Sequence, residues 1–350
     1  MTAKERVMSA LKFETVDKTP TFPMEGTGWV CKKHGISYDE MFALEDCGAS
    51  LIVEAFKEMG SDIMFAGGEA WMGFTQAFGG SIDASEIGTP IIAGPCIDDK
   101  NGETPLYDCS YDELREKLLA APIVQSALKQ IREVKKLVGE EYPVSPGMAA
   151  PFTAASTMVS PKRFVKMVGK KSPNLPKLLE LAATITAIMV DLETEAGADI
   201  IATPDPVGSG DMISMTTYND IVAPAYKKFM ETRKSETPII MHICGNAGER
   251  VESVRDLGVS VFSVDSMVDM ADMLKRADHK IVMMGSLSPA ATLLQGTPDK
   301  VYEEATALLE LAAANNGGFF LSTGCELPAP SPLENIQAMI KARDDFAARA

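Results

Sequence analysis

The chain has few residues of several kinds. Its 350 residues include only three histidines, two tryptophans and six cysteines. The cysteines lack the short regular spacing of a disulfide-rich domain, so free or metal-bound thiols are expected. No run of about 18 apolar residues occurs, which argues against a membrane span. The first residues, MTAKERVMSALKFE, are amphipathic and lack the apolar core of a signal peptide, so we expect a cytoplasmic protein.

Positive charge is also scarce. The chain has 33 basic and 49 acidic residues, which gives a net charge of −16. Nucleic acids and anionic membrane surfaces are bound by basic surfaces, so we expect neither as a partner. A small anionic ligand held by local amides is not excluded by the net charge, and a homo-oligomer is compatible with this composition.

Short apolar runs alternate with longer stretches of helical period along most of the sequence. Such runs, often ending in Gly, Pro, Asp or Ser, are typical of buried parallel strands. Eight of them predict a (β/α)8 TIM barrel, and a doubly wound sheet is the structural alternative. The eight predicted strands are 19–25, 61–68, 142–148, 198–205, 237–244, 259–266, 280–287 and 318–325.

Two additions to this repeat are predicted. The spacing of apolar residues over 4–12 predicts a short amino-terminal helix. Residues 78–97 are β-like and lie outside the repeat, so they are interpreted as a β-hairpin inserted after the second strand. Because no low-complexity linker divides the chain, residues 1–350 are expected to form one domain.

The segment MHICGN contains the residues that point most directly to chemistry. Side chains alternate between the faces of a strand, so His242 and Cys244 point the same way. Both lie at the carboxyl end of the fifth predicted strand, where barrels carry their sites. Cys325 lies at the carboxyl end of the eighth. One His and two Cys form a complete protein ligand set for a zinc ion with an open fourth position, as catalytic zinc has.

Two other interpretations of these residues stay open at this point. A His-x-Cys sequence arises by chance, and buried cysteines often only pack, so the zinc could be absent or structural. A Cys–His nucleophile pair fits less well, because side chains two residues apart on a strand run parallel to each other.

Several segments of the sequence resemble one known family. The HxCGN pattern at 242–246 and the Gly-Cys pair at 324–325 are similar to the uroporphyrinogen decarboxylase superfamily, and most similar to its zinc-dependent methylcobamide:coenzyme M methyltransferases. Supporting segments are KERVMSAL, PGMAAPFTAAS, TPDPVGSGDMIS, PAYKKF, FSVDSMVDM and GSLSPAATLLQGTPDKV, which together cover nearly the whole chain.

The resemblance implies a TIM barrel with zinc held by His242, Cys244 and Cys325. It implies methyl transfer from a methylated corrinoid carried by a partner protein to a small thiol such as coenzyme M. Transfer in the opposite direction, onto the corrinoid, is the runner-up. A uroporphyrinogen decarboxylase-like activity is disfavoured, because no arginine lies between Arg6 and Arg115, whereas the decarboxylases carry an arginine-rich motif after the first strand.

A sulfonate on the thiol would need a partner of opposite charge. The predicted strand-end loops offer few cations, so backbone amides at a helix start, for example near Asn246, are an alternative anion site. The cations that can be placed near strand ends are Lys32, Lys33, Lys162, Arg163 and Arg250.

Four acidic residues lie at or next to the carboxyl ends of predicted strands. Asp205 and Asp265 are candidates for supporting the site, for example by orienting His242 through its other ring nitrogen, and helix capping is the alternative role. Glu25 ends the first strand and is a candidate pocket residue. Glu326 adjoins Cys325 and is either a fourth zinc ligand or a side chain that points away.

Overall fold

The computed structural model describes residues 1–68, 70–83, 91–97, 104–315 and 317–349. Eight parallel strands in it match the eight predicted ones, each lying inside the predicted range. Two further strands form a hairpin. The strands are β1 (Thr21–Phe22), β2 (Met64–Phe65), β3 (Ser81–Asp83), β4 (Ile91–Gly94), β5 (Val144–Ser145), β6 (Ile201–Pro204), β7 (Ile239–Ile243), β8 (Val261–Val264), β9 (Val282–Leu287) and β10 (Phe319–Thr323).

The parallel strands follow one another around a barrel. Six of them pair in the order β1-β10-β9-β8-β7-β6, and β2 pairs with β5. Backbone hydrogen bonds join these two groups: Asp62 N donates to Thr21 O at 2.9 Å, and Met148 N donates to Ala202 O at 2.9 Å. The sheet therefore closes as the predicted TIM barrel, and the doubly wound alternative is wrong.

The inserted hairpin is also present. Strands β3 and β4 pair antiparallel with each other outside the barrel. The residues that connect them, 84–90, lie outside the described residues.

Helices surround the strands. Residues 111–138 form two helices rather than one, because Ala121 precedes Pro122 and takes an extended conformation. The helices are α1 (Ala3–Ala10), α2 (Thr27–His34), α3 (Tyr38–Ala43), α4 (Ala49–Met59), α5 (Ala70–Gly73), α6 (Tyr111–Ala120), α7 (Pro122–Val138), α8 (Pro151–Met158), α9 (Pro161–Gly169), α10 (Leu175–Glu195), α11 (Met215–Thr217), α12 (Ala223–Thr232), α13 (Val251–Arg255), α14 (Met270–Ala277), α15 (Pro298–Ala314) and α16 (Leu333–Ala347).

Short 3-10 and π-helical turns complete the described secondary structure. Their common feature is that they lie in connections between the longer elements. The 3-10 turns are Gln76–Phe78, Pro105–Asp108, Pro206–Gly208 and Gly248–Arg250, and the π segments are Tyr218–Val222 and Pro289–Leu294.

A buried ion network ties both ends of the chain to the barrel. Arg6 on α1 and Arg343 on α16 each bind the Asp62 carboxylate, at 2.7 and 2.8 Å. The same carboxylate accepts the Thr21 backbone N–H at 2.8 Å. The predicted amino-terminal helix is thus present, and it is held against the base of β1 and β2.

The two faces of the strands have different neighbours. Thr203 on β6 reaches outward, where its hydroxyl lies 2.6 Å from the Tyr226 hydroxyl of α12. The alternate side chains of each strand turn toward the barrel axis. Burial on both faces explains why the strands are almost continuously apolar. No helix among the described residues is long and apolar enough to cross a membrane.

Candidate metal centre

His242, Cys244 and Cys325 converge at the carboxyl end of the barrel. His242 belongs to β7, and Cys244 follows that strand directly. Cys325 lies two residues beyond β10, and β7 and β10 are separated in the sheet by β8 and β9. His242 Nε2 lies 3.2 Å from Cys244 Sγ, which lies 3.7 Å from Cys325 Sγ. The three potential ligand atoms all lie within 4.8 Å of one another.

Two glycines allow this convergence. Gly245 has φ +65°, and a Cβ there would lie 2.2 Å from Asp211 Oδ2. A Cβ on Gly324 would lie 2.7 Å from the Ser266 backbone nitrogen, so the loop carrying Cys325 passes directly beside the loop after β8. The glycine after Cys244 and the one before Cys325 are therefore steric requirements of the site.

Ser263 fixes the orientation of the His242 ring. His242 Nδ1 lies 3.0 Å from Ser263 Oγ, and the two residues are direct neighbours in the β7–β8 register. A partner at Nδ1 determines which tautomer and ring orientation a ligating histidine adopts. The expectation that Asp205 or Asp265 would take this place is wrong.

The two cysteine sulfurs lie 3.7 Å apart and titrate as a pair. A hydrogen bond from the Cys244 thiol lowers the pKa of Cys325 to about 4, and His242 acts in the same direction although burial opposes it. The same hydrogen bond, together with burial, raises the pKa of Cys244 above its ordinary value. At Cys96 the result is the opposite, because burial outweighs a backbone hydrogen bond and raises the pKa to about 12. The contact between the two sulfurs therefore favours ionisation of Cys325 and disfavours ionisation of Cys244.

This donor set fits a zinc ion. One imidazole nitrogen and two sulfurs are the ligand types that zinc prefers, and three protein ligands leave a fourth position for substrate. His242 is 2% exposed, whereas both cysteines are partly exposed, so the donors face an accessible space rather than a sealed core.

The turn after Cys244 is held by two carboxylates. Gly245 N donates to Asp265 Oδ2 at 2.9 Å, and Asn246 N donates to Asp211 Oδ2 at 3.0 Å. Asp265 therefore supports the site through the backbone. The Gly245 and Asn246 amides are therefore already used, and an anionic substrate group in this loop would have to be held by other donors.

Asp205 lies behind the site. Its Oδ1 accepts hydrogen bonds from the Thr153 hydroxyl at 2.6 Å and from the Thr153 backbone N–H at 3.2 Å. Thr153 is in the first turn of α8, so Asp205 caps a neighbouring helix. Burial raises the pKa of Asp205 to about 6, while the bonds from Thr153 oppose that rise. Asp205 is also the residue before the 3-10 turn Pro206–Gly208, but its side chain makes no capping hydrogen bond to that turn.

Glu25 and Glu326 lie on the other side of Cys325. Burial raises the pKa of Glu25 to about 8, and the nearby Glu326 and Cys325 charges add to the rise. Glu25 has φ +53°, a left-handed conformation that is uncommon for a residue other than glycine. The Glu326 backbone N–H donates to the Cys325 sulfur. The charges of Cys325 and Glu326 thus reach Glu25, whose role as a pocket residue stays a prediction.

The structure adds residues that the sequence did not single out. Ser263, Asp211 and Thr153 each bind a predicted site residue or its turn. Ser263 ends the run VFS two residues before Asp265, a position whose role depends on the β7–β8 register. No local sequence signal distinguishes it from the other serines.

Comparison with known proteins agrees with this geometry. The family model of uroporphyrinogen decarboxylase (URO-D) matches residues 2–346. The chain is 29% identical over 355 residues to the methylcobamide:CoM methyltransferase MtaA of Methanosarcina barkeri, covering 99% of this chain and 98% of that relative. It is 24% identical over 267 residues to a methylated-thiol–coenzyme M methyltransferase of Methanosarcina mazei, covering 76% of this chain and 68% of that relative. A solved methyltransferase structure from Methanosarcina mazei superimposes with a TM-score of 0.86 at 28% identity, covering 99% of each chain.

The chain therefore belongs to the uroporphyrinogen decarboxylase family. Within that family it is an enzyme with methyltransferase activity, since the relatives that it matches over nearly their full length include methyltransferases, and the solved neighbour is one as well. The resemblance found in the sequence is confirmed.

Proposed function

We propose that this enzyme binds zinc through His242, Cys244 and Cys325 and transfers a methyl group from a methylated corrinoid protein to a small thiol. The observation that carries the proposal is the convergence of these three donors from two distant strand ends. The printed names of the relatives, which include a methylcobamide:CoM methyltransferase, support the corrinoid and the thiol as the reacting partners.

The protein's own residues have separable tasks in this proposal. With Nε2 as the metal ligand, the Nδ1–H of His242 donates to the Ser263 hydroxyl oxygen, and this bond holds the ring so that Nε2 faces the sulfurs. Asp265 and Asp211 hold the turn after Cys244, so that its sulfur keeps its position. Zinc held here would lower the pKa of a substrate thiol and keep its sulfur nucleophilic at neutral pH.

The proposed reaction balances without a further reagent. The substrate thiol loses its proton to solvent, and its sulfur attacks the methyl carbon. A sulfur–carbon bond forms while the cobalt–carbon bond breaks, and cobalt keeps the electron pair as Co(I). The two cysteine ligands leave little net positive charge on the metal, which favours an electron-rich sulfur.

The opposite direction is the second candidate. The similarity to a methylated-thiol–coenzyme M methyltransferase favours it, because that relative's name places a methylated thiol among its substrates. The same donors serve both directions. The two are separated by supplying either methylcobalamin with a thiol, or Co(I) cobalamin with a methyl thioether, and comparing the initial rates.

Metal analysis tests the site. Protein purified anaerobically is expected to contain one zinc per chain, and Cys325→Ser is expected to lose it while its circular dichroism spectrum stays unchanged. Cys109→Ser is the matched control, since Cys109 is a partly exposed free cysteine outside the site. A folded wild-type protein without metal contradicts the proposal, and unfolding of Cys325→Ser on zinc loss supports a structural zinc.

A further inference from the structure

The side chain of Met24, just after β1, lies inside the barrel. Met24 is 1% exposed and is among the largest fully buried side chains of the described residues. In the sheet, β1 is separated from β8 by β10 and β9, yet Ser263 Oγ on β8 lies 3.7 Å from Met24 Sδ. The two side chains therefore meet across the barrel interior, at the same serine that contacts the His242 ring.

The backbone of Met24 is bound to the segment that carries Cys325. Met24 N donates to Thr323 Oγ1 at 3.1 Å, and the Thr323 hydroxyl donates to Cys325 O at 2.7 Å. Leu327 N donates to Met24 O at 2.9 Å. These bonds hold Met24 from both sides of Cys325 in the sequence, so its side chain starts from a fixed position.

The Ser263 hydroxyl has a single proton to donate. Among the described residues, its oxygen has two hydrogen-bond partners, His242 Nδ1 at 3.0 Å and Met24 Sδ at 3.7 Å. A thioether sulfur has no proton and can only accept a hydrogen bond. While the hydroxyl proton points to Met24, the oxygen can only accept from His242, and Nδ1 must then carry a proton.

This distribution of protons is the one that a metal ligand at Nε2 requires. A histidine binds a metal through a ring nitrogen that has no proton, and a neutral imidazole has one proton on either nitrogen. Without the sulfur, the hydroxyl could turn and donate to an unprotonated Nδ1. The ring proton would then lie on Nε2, 3.2 Å from Cys244 Sγ, and would have to leave before a metal could bind.

We infer that Met24 is a positioning residue of the metal centre. Its sulfur accepts the Ser263 hydroxyl proton, which keeps a proton on Nδ1 of His242 and leaves Nε2 free for the metal. The long, unbranched side chain of methionine suits a contact that has to reach across the barrel. The inference rests on the proposed function, since it assigns how the same site is prepared for zinc.

A double-mutant cycle separates this role from packing. Met24→Leu keeps an apolar side chain and removes the acceptor. Its zinc affinity, measured by competition with a chromophoric chelator, should fall about two- to fivefold, as the loss of one weak hydrogen bond gives. In the Ser263→Ala background the same change should have no further effect, because no hydroxyl proton remains to be held. Equal losses in both backgrounds would assign Met24 to packing alone and overturn the inference.

Met283→Leu is the matched control for this cycle. Met283 is a fully buried methionine on β9, and its neighbour in the β8 register is Phe262 rather than Ser263. The control variant should bind zinc like the wild type. A loss in Met283→Leu as large as that in Met24→Leu would also overturn the inference, because any buried methionine would then have the same effect.

The proton on Nδ1 can be observed directly by nuclear magnetic resonance. The chain has only three histidines, so nitrogen-15 labelling of histidine gives few ring signals, and His34→Gln and His279→Gln identify the other two. In zinc-free wild-type protein at pH 8, long-range proton–nitrogen correlation is expected to show a proton on Nδ1 of His242. Met24→Leu should add a population in which Nδ1 is unprotonated. A wild-type Nδ1 without a proton overturns the inference, whether or not the variant folds.

These tests fail separately from the proposed function. If the wild type binds no zinc, the proposed function is wrong, while the state of Nδ1 in the zinc-free protein still tests Met24. If zinc binds and Met24→Leu matches the wild type in both measurements, the metal site stands and the inference about Met24 is wrong.

Discussion

Ser263 Oγ lies 3.0 Å from Nδ1 of His242, and the two residues are aligned neighbours on β8 and β7. This contact at Nδ1 fixes the imidazole ring so that Nε2 is directed toward Cys244. A hydroxyl takes the place that a carboxylate holds in many zinc sites. His242 therefore has a neutral partner at Nδ1, and acidic residues support the turn after Cys244 instead.

Removing this hydroxyl should weaken zinc binding. Ser263→Ala leaves His242 free to rotate, so we expect zinc affinity to fall about 10- to 100-fold, measured by competition with a chromophoric chelator. Ser260→Ala, in the turn just before β8, is the control and should bind zinc like the wild type. An unchanged affinity in Ser263→Ala would show that the hydrogen bond does not orient the ligand.

The two cysteines should titrate as a pair in metal-free protein. The lowered pKa of Cys325, about 4, predicts thiolate absorbance near 240 nm already at pH 6. Cys244→Ser removes the thiol that donates a hydrogen bond to Cys325, so the onset of this absorbance should move to higher pH. If the wild type shows no thiolate signal until pH 8, the lowered pKa of Cys325 is contradicted.

Glu25 should lower the stability of metal-free protein as the pH rises. Its carboxyl group is protonated in the folded state up to a pKa of about 8, but it ionises near 4.5 when unfolded. Folding therefore takes up a proton between these values, and the free energy of unfolding falls as pH increases through them. Glu25→Gln removes the effect, so its gain in melting temperature should be larger at pH 8 than at pH 5. A gain independent of pH would contradict the shift.

Replacing Asp62 should lower the free energy of unfolding more than replacing most other polar residues. Its carboxylate is shared by Arg6 and Arg343, and Asp62→Ala leaves two buried cations without that partner, so we expect a loss of about 3–5 kcal/mol in urea denaturation. Glu231→Gln breaks the exposed pair with Lys227 and should cost less than about 0.5 kcal/mol. Similar losses in both variants would mean that the buried network stabilises the fold no more than the exposed ion pair does.

Much of the fold and the three metal-site donors could be predicted from the sequence. Apolar runs gave the eight strands because both of their faces are buried, and period two placed His242 and Cys244 on one side. Cys325 could be added because the carboxyl ends of barrel strands meet at one rim.

The supporting contacts could not be predicted in the same way. Whether Ser263 or Asp265 reaches His242 depends on the register between β7 and β8, which no local pattern encodes. Asp205 follows β6 on the same side as the outward-facing Thr203, and only the position of α8 reveals its partner. Pro122, by contrast, is a local sequence signal for the break between α6 and α7, because proline disfavours a helical conformation of the residue before it.

The central claim is that His242, Cys244 and Cys325 form a zinc site that activates a thiol toward a corrinoid-bound methyl group. The most direct measurement is the anaerobic rate at which the zinc-loaded enzyme demethylates methylcobalamin with a panel of thiols, followed by the absorbance change of cobalamin. We predict that the wild type accelerates this loss with at least one thiol, and that Cys325→Ser returns the rate to that of the free thiol. If no thiol is accelerated, or if Cys325→Ser is as active as the wild type, the account is contradicted.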